Sequence, residues 1–177
     1  GNLYKDWLQF DGSEAHRATG MVYVEKADSV IQLMKDTPFK NYIQTENQKL
    51  RDFLSTADLK KIRLLIPATR AKDTLAWSES YAEKAAIQKR IVATYEHTLE
   101  VYPEAPDMDH DLQREYGQLA CWELFAGHFS AATDAAQRCL TFNPEHPSGI
   151  RWLGPALLFQ GQVDQAEAHY RQYAEQP

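Results

Sequence analysis

The chain lacks most of the features that announce chemistry. It has two cysteines in 177 residues, Cys121 and Cys139. That is no disulfide framework, and both read as small packing residues on facing helices. No apolar run approaches the ~18 residues of a membrane-spanning helix. No charged-then-apolar segment of the leader type opens the sequence, so a cytoplasmic location is the expectation. Phosphate loops, dinucleotide fingerprints and paired-cysteine zinc spacings are missing, and no cofactor is expected. Positive charge is also scarce. Nineteen basic residues stand against 25 acidic ones for a net charge of −6, which argues against a nucleic-acid partner. Lysine disappears altogether after Lys89, leaving the last 88 residues with none.

That shift divides the chain into a helical N-terminal region, residues 1–70, and a more regular region, 71–177, within one compact unit. In the first, Asp11-Gly12-Ser13 reads as a turn with a cap. Val24, Ala27, Val30, Ile31 and Met34 form a rough helical stripe over 14–36. The run Met21–Val24 carries strand propensity as well. Thr37-Pro38 is a helix start with proline in the first turn, and Phe39, Tyr42, Ile43, Leu50, Phe53 and Leu54 keep the phase. Ser55 is placed to cap a short helix through Leu65, which Pro67 would stop. Residues 72–103 read as a hairpin or one long helix. Alternating helices with short breaks make the chain all-α.

What the sequence does contain is a phrase written twice. Leu124-Phe125-x-Gly127 returns as Leu158-Phe159-x-Gly161, 34 residues later. In the same register Leu119 pairs with Leu153, Ala132 with Ala166, Ala120 with Gly154 and Phe129 with Val163. Each copy reads as two helices. Tyr116, Leu119, Ala120 and Leu124 share one face; Gly127 suits the left-handed residue that ends a helix. Ala132, Ala135, Ala136, Cys139 and Leu140 then carry a second helix to Asn143-Pro144. The second copy runs from Ser148, a plausible N-cap, to Gly161, and from Asp164 to near Gln176. Pro155 inside its first helix predicts a kink or a lost hydrogen bond.

With its aromatic, Leu-Gly, Ala and closing-proline positions, this pattern resembles the tetratricopeptide repeat family. The copies span 113–146 and 147–177. The first offers Tyr116, Leu119-Ala120, Ala132 and Pro144; the second offers Ile150, Leu153-Gly154, Ala166 and Tyr170. Two positions depart from the family: Glu123 stands where an aromatic is usual, and Ala136 replaces a second aromatic. The resemblance implies a helix-hairpin array, a TPR-like α-solenoid. It also implies a protein-binding groove lined by the first helix of each hairpin. The groove positions are Arg114, Gln118, Cys121 and Phe125 in one copy, and Arg151, Trp152 and Phe159 in the other. Phe125 and Phe159, in phase, are expected to stack as neighbours.

Three other clusters invite a chemical reading. Asp107-Met108-Asp109-His110-Asp111 is the densest set of metal-ligand types. It lacks the glycine and distal glutamate of a calcium loop and suits an acidic loop before a helix. Cys121, His128 and His146 lack the elbow and orienting residue of a nucleophilic site, and the histidines read as solvated loop residues. Lys60, Lys61, Arg63, Arg70 and Lys72 read as an amphipathic surface. The expected function is therefore non-enzymatic: a scaffold or adaptor that binds a peptide or partner helix. The alternatives are a structural or regulatory domain of a larger protein, and an all-α enzyme with an unrecognised site. The last hairpin keeps Leu153, Leu157, Ala166, Tyr170 and Tyr173, so its edge is expected to be covered by further sequence or by a homodimer partner.

Overall fold

A computed structural model describes residues 13–174, and among them every regular element is an α-helix. The helices are α1 (Glu14–Leu33), α2 (Pro38–Thr56), α3 (Leu59–Trp77) and α4 (Tyr81–Val101). They are followed by α5 (Met108–Phe125), α6 (Phe129–Phe142), α7 (Pro147–Phe159) and α8 (Val163–Ala174). They form two compact units, Gly1–Leu64 and Leu65–Pro177, with the division inside α3.

In the first unit, local chemistry sets the helix starts. The Ser13 hydroxyl accepts from the His16 amide at 3.2 Å, and the Thr37 hydroxyl from the Lys40 amide at 3.2 Å, with Pro38 in the first turn. Asp11 and Gly12, the rest of the expected turn, lie outside the described residues. The run Met21–Val24 is helical. Only part of the predicted stripe is buried: Val24 and Ile31 are, while Val30 is exposed. A polar clamp joins α1 to α2. The Asn47 amide donates to the Val24 carbonyl at 3.1 Å and to Asp28 Oδ1 at 2.6 Å. Arg51 pairs with the same Asp28 carboxylate.

The expectation of a short helix stopped at Pro67 fails. Ser55 does not cap; its hydroxyl donates back to the Arg51 and Asp52 carbonyls inside α2. Asp58 supplies the start of α3 instead, its carboxylate accepting from the Lys61 amide at 3.0 Å. The helix then runs through Pro67 to Trp77. A proline inside a helix costs ~3 kcal/mol, and burial beyond it offsets that cost. Ala68 and Ala71 enter the main core, and Leu65 and Leu75 pack against it.

The second unit is an array of helical hairpins. Residues 72–103 are not one long helix. They hold the end of α3, a break at Ser78–Ser80, and α4, whose start is capped by the Ser80 hydroxyl accepting from the Glu83 amide at 3.2 Å. α5 packs on α4, α6 and α7, and α7 packs in turn on α6 and α8. Contact between α5 and α7, first helices of successive hairpins, is what stacking repeats produce. It is tight near the start of α7: a Cβ on Gly117 would lie 2.7 Å from the Ser148 Cβ.

Both turn glycines are left-handed, Gly127 at φ 80° and Gly161 at φ 75°. Each closes its helix in the same way. Gly127 donates to the Leu124 carbonyl and His128 to that of Glu123; Gly161 and Gln162 repeat this toward Leu158 and Leu157. This is the two-bond ending that satisfies orphan carbonyls and favours glycine. The N-cap of α7 is His146, not Ser148, with Pro147 opening the helix. α7 continues across Pro155 to Phe159. The core of the unit joins Ile91, Val92 and Tyr95 of α4 to Leu112, Leu119 and Ala120 of α5. It continues through Ala136 and Cys139 of α6 to Leu153 and Leu157 of α7.

Candidate functional site

The expected groove residues occupy two helix faces. Arg114, Gln118, Cys121 and Phe125 recur at helical spacing along α5, and all are exposed except Cys121, which is half-buried. On α7, Arg151 and Phe159 are exposed and Trp152 is half-buried. The two faces meet where the Phe125 and Trp152 rings make an edge contact at 5.9 Å. Cys121 lies near Arg151; burial pushes its thiol up from the ordinary value, and the guanidinium charge opposes that.

Phe125 and Phe159 do not stack on each other. Phe125 stacks on Tyr81, with centroids 5.2 Å apart, while Phe159 stacks on Phe129 at 4.8 Å. The reason is packing order. α5 also has α4 as a neighbour, and the start of α4 brings Tyr81 beside the end of α5. Phe159 meets the start of α6 instead. Phe125 is 53 % exposed and Phe159 66 %, so neither is a core ring.

Tyr81 brings with it side chains that the repeat pattern did not single out. Trp122 lies 6.2 Å from Tyr81, near-parallel. The rings Trp122, Tyr81, Phe125 and Trp152 thus form a continuous surface row across α4, α5 and α7. Lys84 stands over the Trp122 ring at 5.0 Å and the Tyr81 ring at 5.9 Å, and Arg151 over Trp152 at 5.8 Å. Such cation–aromatic contacts stabilise by roughly 0.5–1 kcal/mol at exposed sites. The one signal in the sequence was Tyr81-x-x-Lys84 one helical turn apart.

Beneath this face run buried charges. Glu115 is nearly inaccessible and binds three donors: Lys72 at 2.5 Å, the Gln88 amide at 2.9 Å and Arg114 at 3.2 Å. Lys72 also donates to the Tyr95 hydroxyl at 3.1 Å. Burial opposes the Lys72 charge, but its bonds to Glu115 and Tyr95 prevail and raise its pKa. Glu123 is fully buried. Its Oε2 lies 2.7 Å from His128 Nδ1, and its Oε1 2.7 Å from the Lys89 ammonium, close but not aligned for a hydrogen bond. Glu123 is therefore an ion-paired carboxylate. Tyr116 donates to Glu96, and burial followed by that bond pushes its hydroxyl up to about 12.

The two loop histidines each have a partner in the fold. His128 is held by Glu123, and His146 accepts from the Ser148 amide at 3.3 Å as a helix cap. Burial, with the neighbouring His110 charge, lowers the His146 pKa. Cys139 is fully buried against Gly117 and Gly149, and its thiol is pushed up to about 11 by that burial. Asp107 is left-handed at φ 60° before α5, without a side-chain cap bond. Among the described residues no group of three or more potential ligands is placed to hold a metal ion. None of their helices is long and apolar enough to cross a membrane. At the last hairpin, Leu153, Leu157 and Ala166 are buried, and Tyr170 is 45 % exposed over Gly154. Tyr173 donates to the Pro144 carbonyl at 2.9 Å.

No protein-family model, curated protein or solved structure matches the chain.

Proposed function

We propose that the chain is a tetratricopeptide-like scaffold or adaptor whose α5–α7 face docks a peptide or helix of a protein partner. The observation that supports this reading is the exposure of Phe125, beside the half-buried Trp152, on a face whose core is already satisfied beneath it. Large rings held out of the core along contiguous helices are what interaction surfaces present. Arg114, Gln118 and Arg151 supply the polar rim of such a face. A photo-crosslinking side chain at Gln118, with a control at the exposed Gln137 of α6, tests it in cells. Discrete protein adducts at 118 that are missing at 137 are the expected result. Equal adducts at both positions, or none at 118, would end the proposal. No specific feature favours the enzyme reading or the role of a fused structural domain over this one.

A further inference from the structure

The aromatic row is capped at both ends by cations that have no ion-paired carboxylate among the described residues. Lys84 rests on Trp122 and Tyr81, and Arg151 on Trp152. Four other cations of this unit are ion-paired: Lys72 with Glu115, Lys89 with Glu123, Arg114 with Asp111 and Glu115, and Arg171 with Glu167. The unit is also rich in acids. Residues 65–177 hold nine basic and 16 acidic side chains. Carboxylates are plentiful, yet among the described residues none is ion-paired with the two cations that flank the exposed rings.

We infer that the row takes a peptide segment combining an aromatic or large apolar anchor with carboxylate side chains. This rests on the docking reading above and names the chemistry of its partner. The anchor packs on Phe125 between Tyr81 and Trp152, and the carboxylates reach Lys84 and Arg151. A cation on a ring face keeps N–H groups free for an incoming acid, so ring contact and ion pair form together. Four rings at centroid steps of 5.2–6.2 Å accommodate about five residues of extended chain at ~3.3 Å each. The inferred site is therefore displaced from the expected groove: it takes in α4 and leaves Arg114 and Gln118 at its margin.

Selection of a random 12-residue displayed peptide library on the full chain tests this directly. Enriched peptides are expected to carry Asp or Glu beside an aromatic residue. Their affinity should fall on the order of tenfold in the Lys84→Gln/Arg151→Gln variant, the scale of two exposed charge contacts. Phe125→Ala should weaken every selected peptide. Two results would overturn the acidic partner while leaving a docking surface. One is enrichment without excess acid. The other is equal affinity for the double variant alongside loss with Phe125→Ala. No enrichment over an unrelated control protein would overturn the inference and count against the docking reading beneath it. Lys84 and Arg151 contact ring faces at the surface, and unchanged circular dichroism of the double variant separates loss of binding from loss of fold.

Discussion

At the residue scale, the two turn glycines and one buried tyrosine make separate predictions. A Cβ at Gly127 or Gly161 meets nothing within 4 Å, so the cost of a side chain there is conformational and not steric. Replacing either by Val should destabilise by ~1–2 kcal/mol, because L residues resist the left-handed region. Asn should cost less, since it tolerates that conformation. Urea unfolding of the four single variants measures this, and equal midpoints for Val and Asn would refute it. Tyr116 contributes to alkaline behaviour. Its folded pKa is raised above the ordinary 10.0 to about 12, so the fold favours the protonated phenol. The stabilisation is whole below pH 10 and is lost as pH rises through about 12. Lys72, also raised, has the same sign. Tyr116→Phe should therefore flatten, not abolish, the loss of stability above pH 10, as read by thermal melts across that range.

At the scale of elements, the question is what holds α3, α4 and α5 together. Apolar contacts do much of it, but Glu115 is where Lys72 of α3 and Gln88 of α4 converge on α5. Removing one partner of a buried ion pair costs more than the pair contributes, because the other charge is stranded. Lys72 is partly exposed, and water softens that penalty. Glu115→Ala should cost ~2–4 kcal/mol, and Glu115→Gln, which keeps an acceptor for Lys72, should cost less. Chemical denaturation of the two variants decides whether the network is structural; a neutral Glu115→Ala would mean the helices are held by packing alone. The same comparison bears on the surface, because Arg114 leans on Glu115 at 3.2 Å.

At the scale of the molecule, the core is unevenly shared. The main cluster runs from Ala68 to Ala166, entirely within the second unit. The described part of the first unit buries Val24, Ile31, Asn47 and Leu54 on α1 and α2, while Tyr23, Leu33, Phe39 and Tyr42 stay exposed. Two helices with so small a buried set cannot offset the entropy of ordering them. A fragment of residues 58–177, which keeps the Asp58 cap and all of α3, should therefore be helical and melt cooperatively. A fragment of residues 13–57 should show little helix on its own in water. Circular dichroism of both fragments tests the division, and cooperative melting of the short one would contradict it.

The sequence by itself determined the local grammar of this protein. The glycine pair and the Thr37-Pro38 start are short-range signals, and each holds because its cause lies within a few residues. The all-α hairpin array follows from them. Tertiary structure decided what neighbours do to each other. Pro67 reads locally as a stop, and only the burial of Ala68 and Ala71 against other helices carries α3 past it. Only the fold decides that Glu115 and Glu123 are buried beside Lys72 and Lys89. The repeat phase placed Phe125 at a groove position, but its partner was not legible: Tyr81 lies 44 positions earlier in the chain, outside the phase that pointed to Phe159. Helix periodicity encodes which face a side chain takes, whereas the ring it meets depends on how separate helices stack, which no local pattern carries.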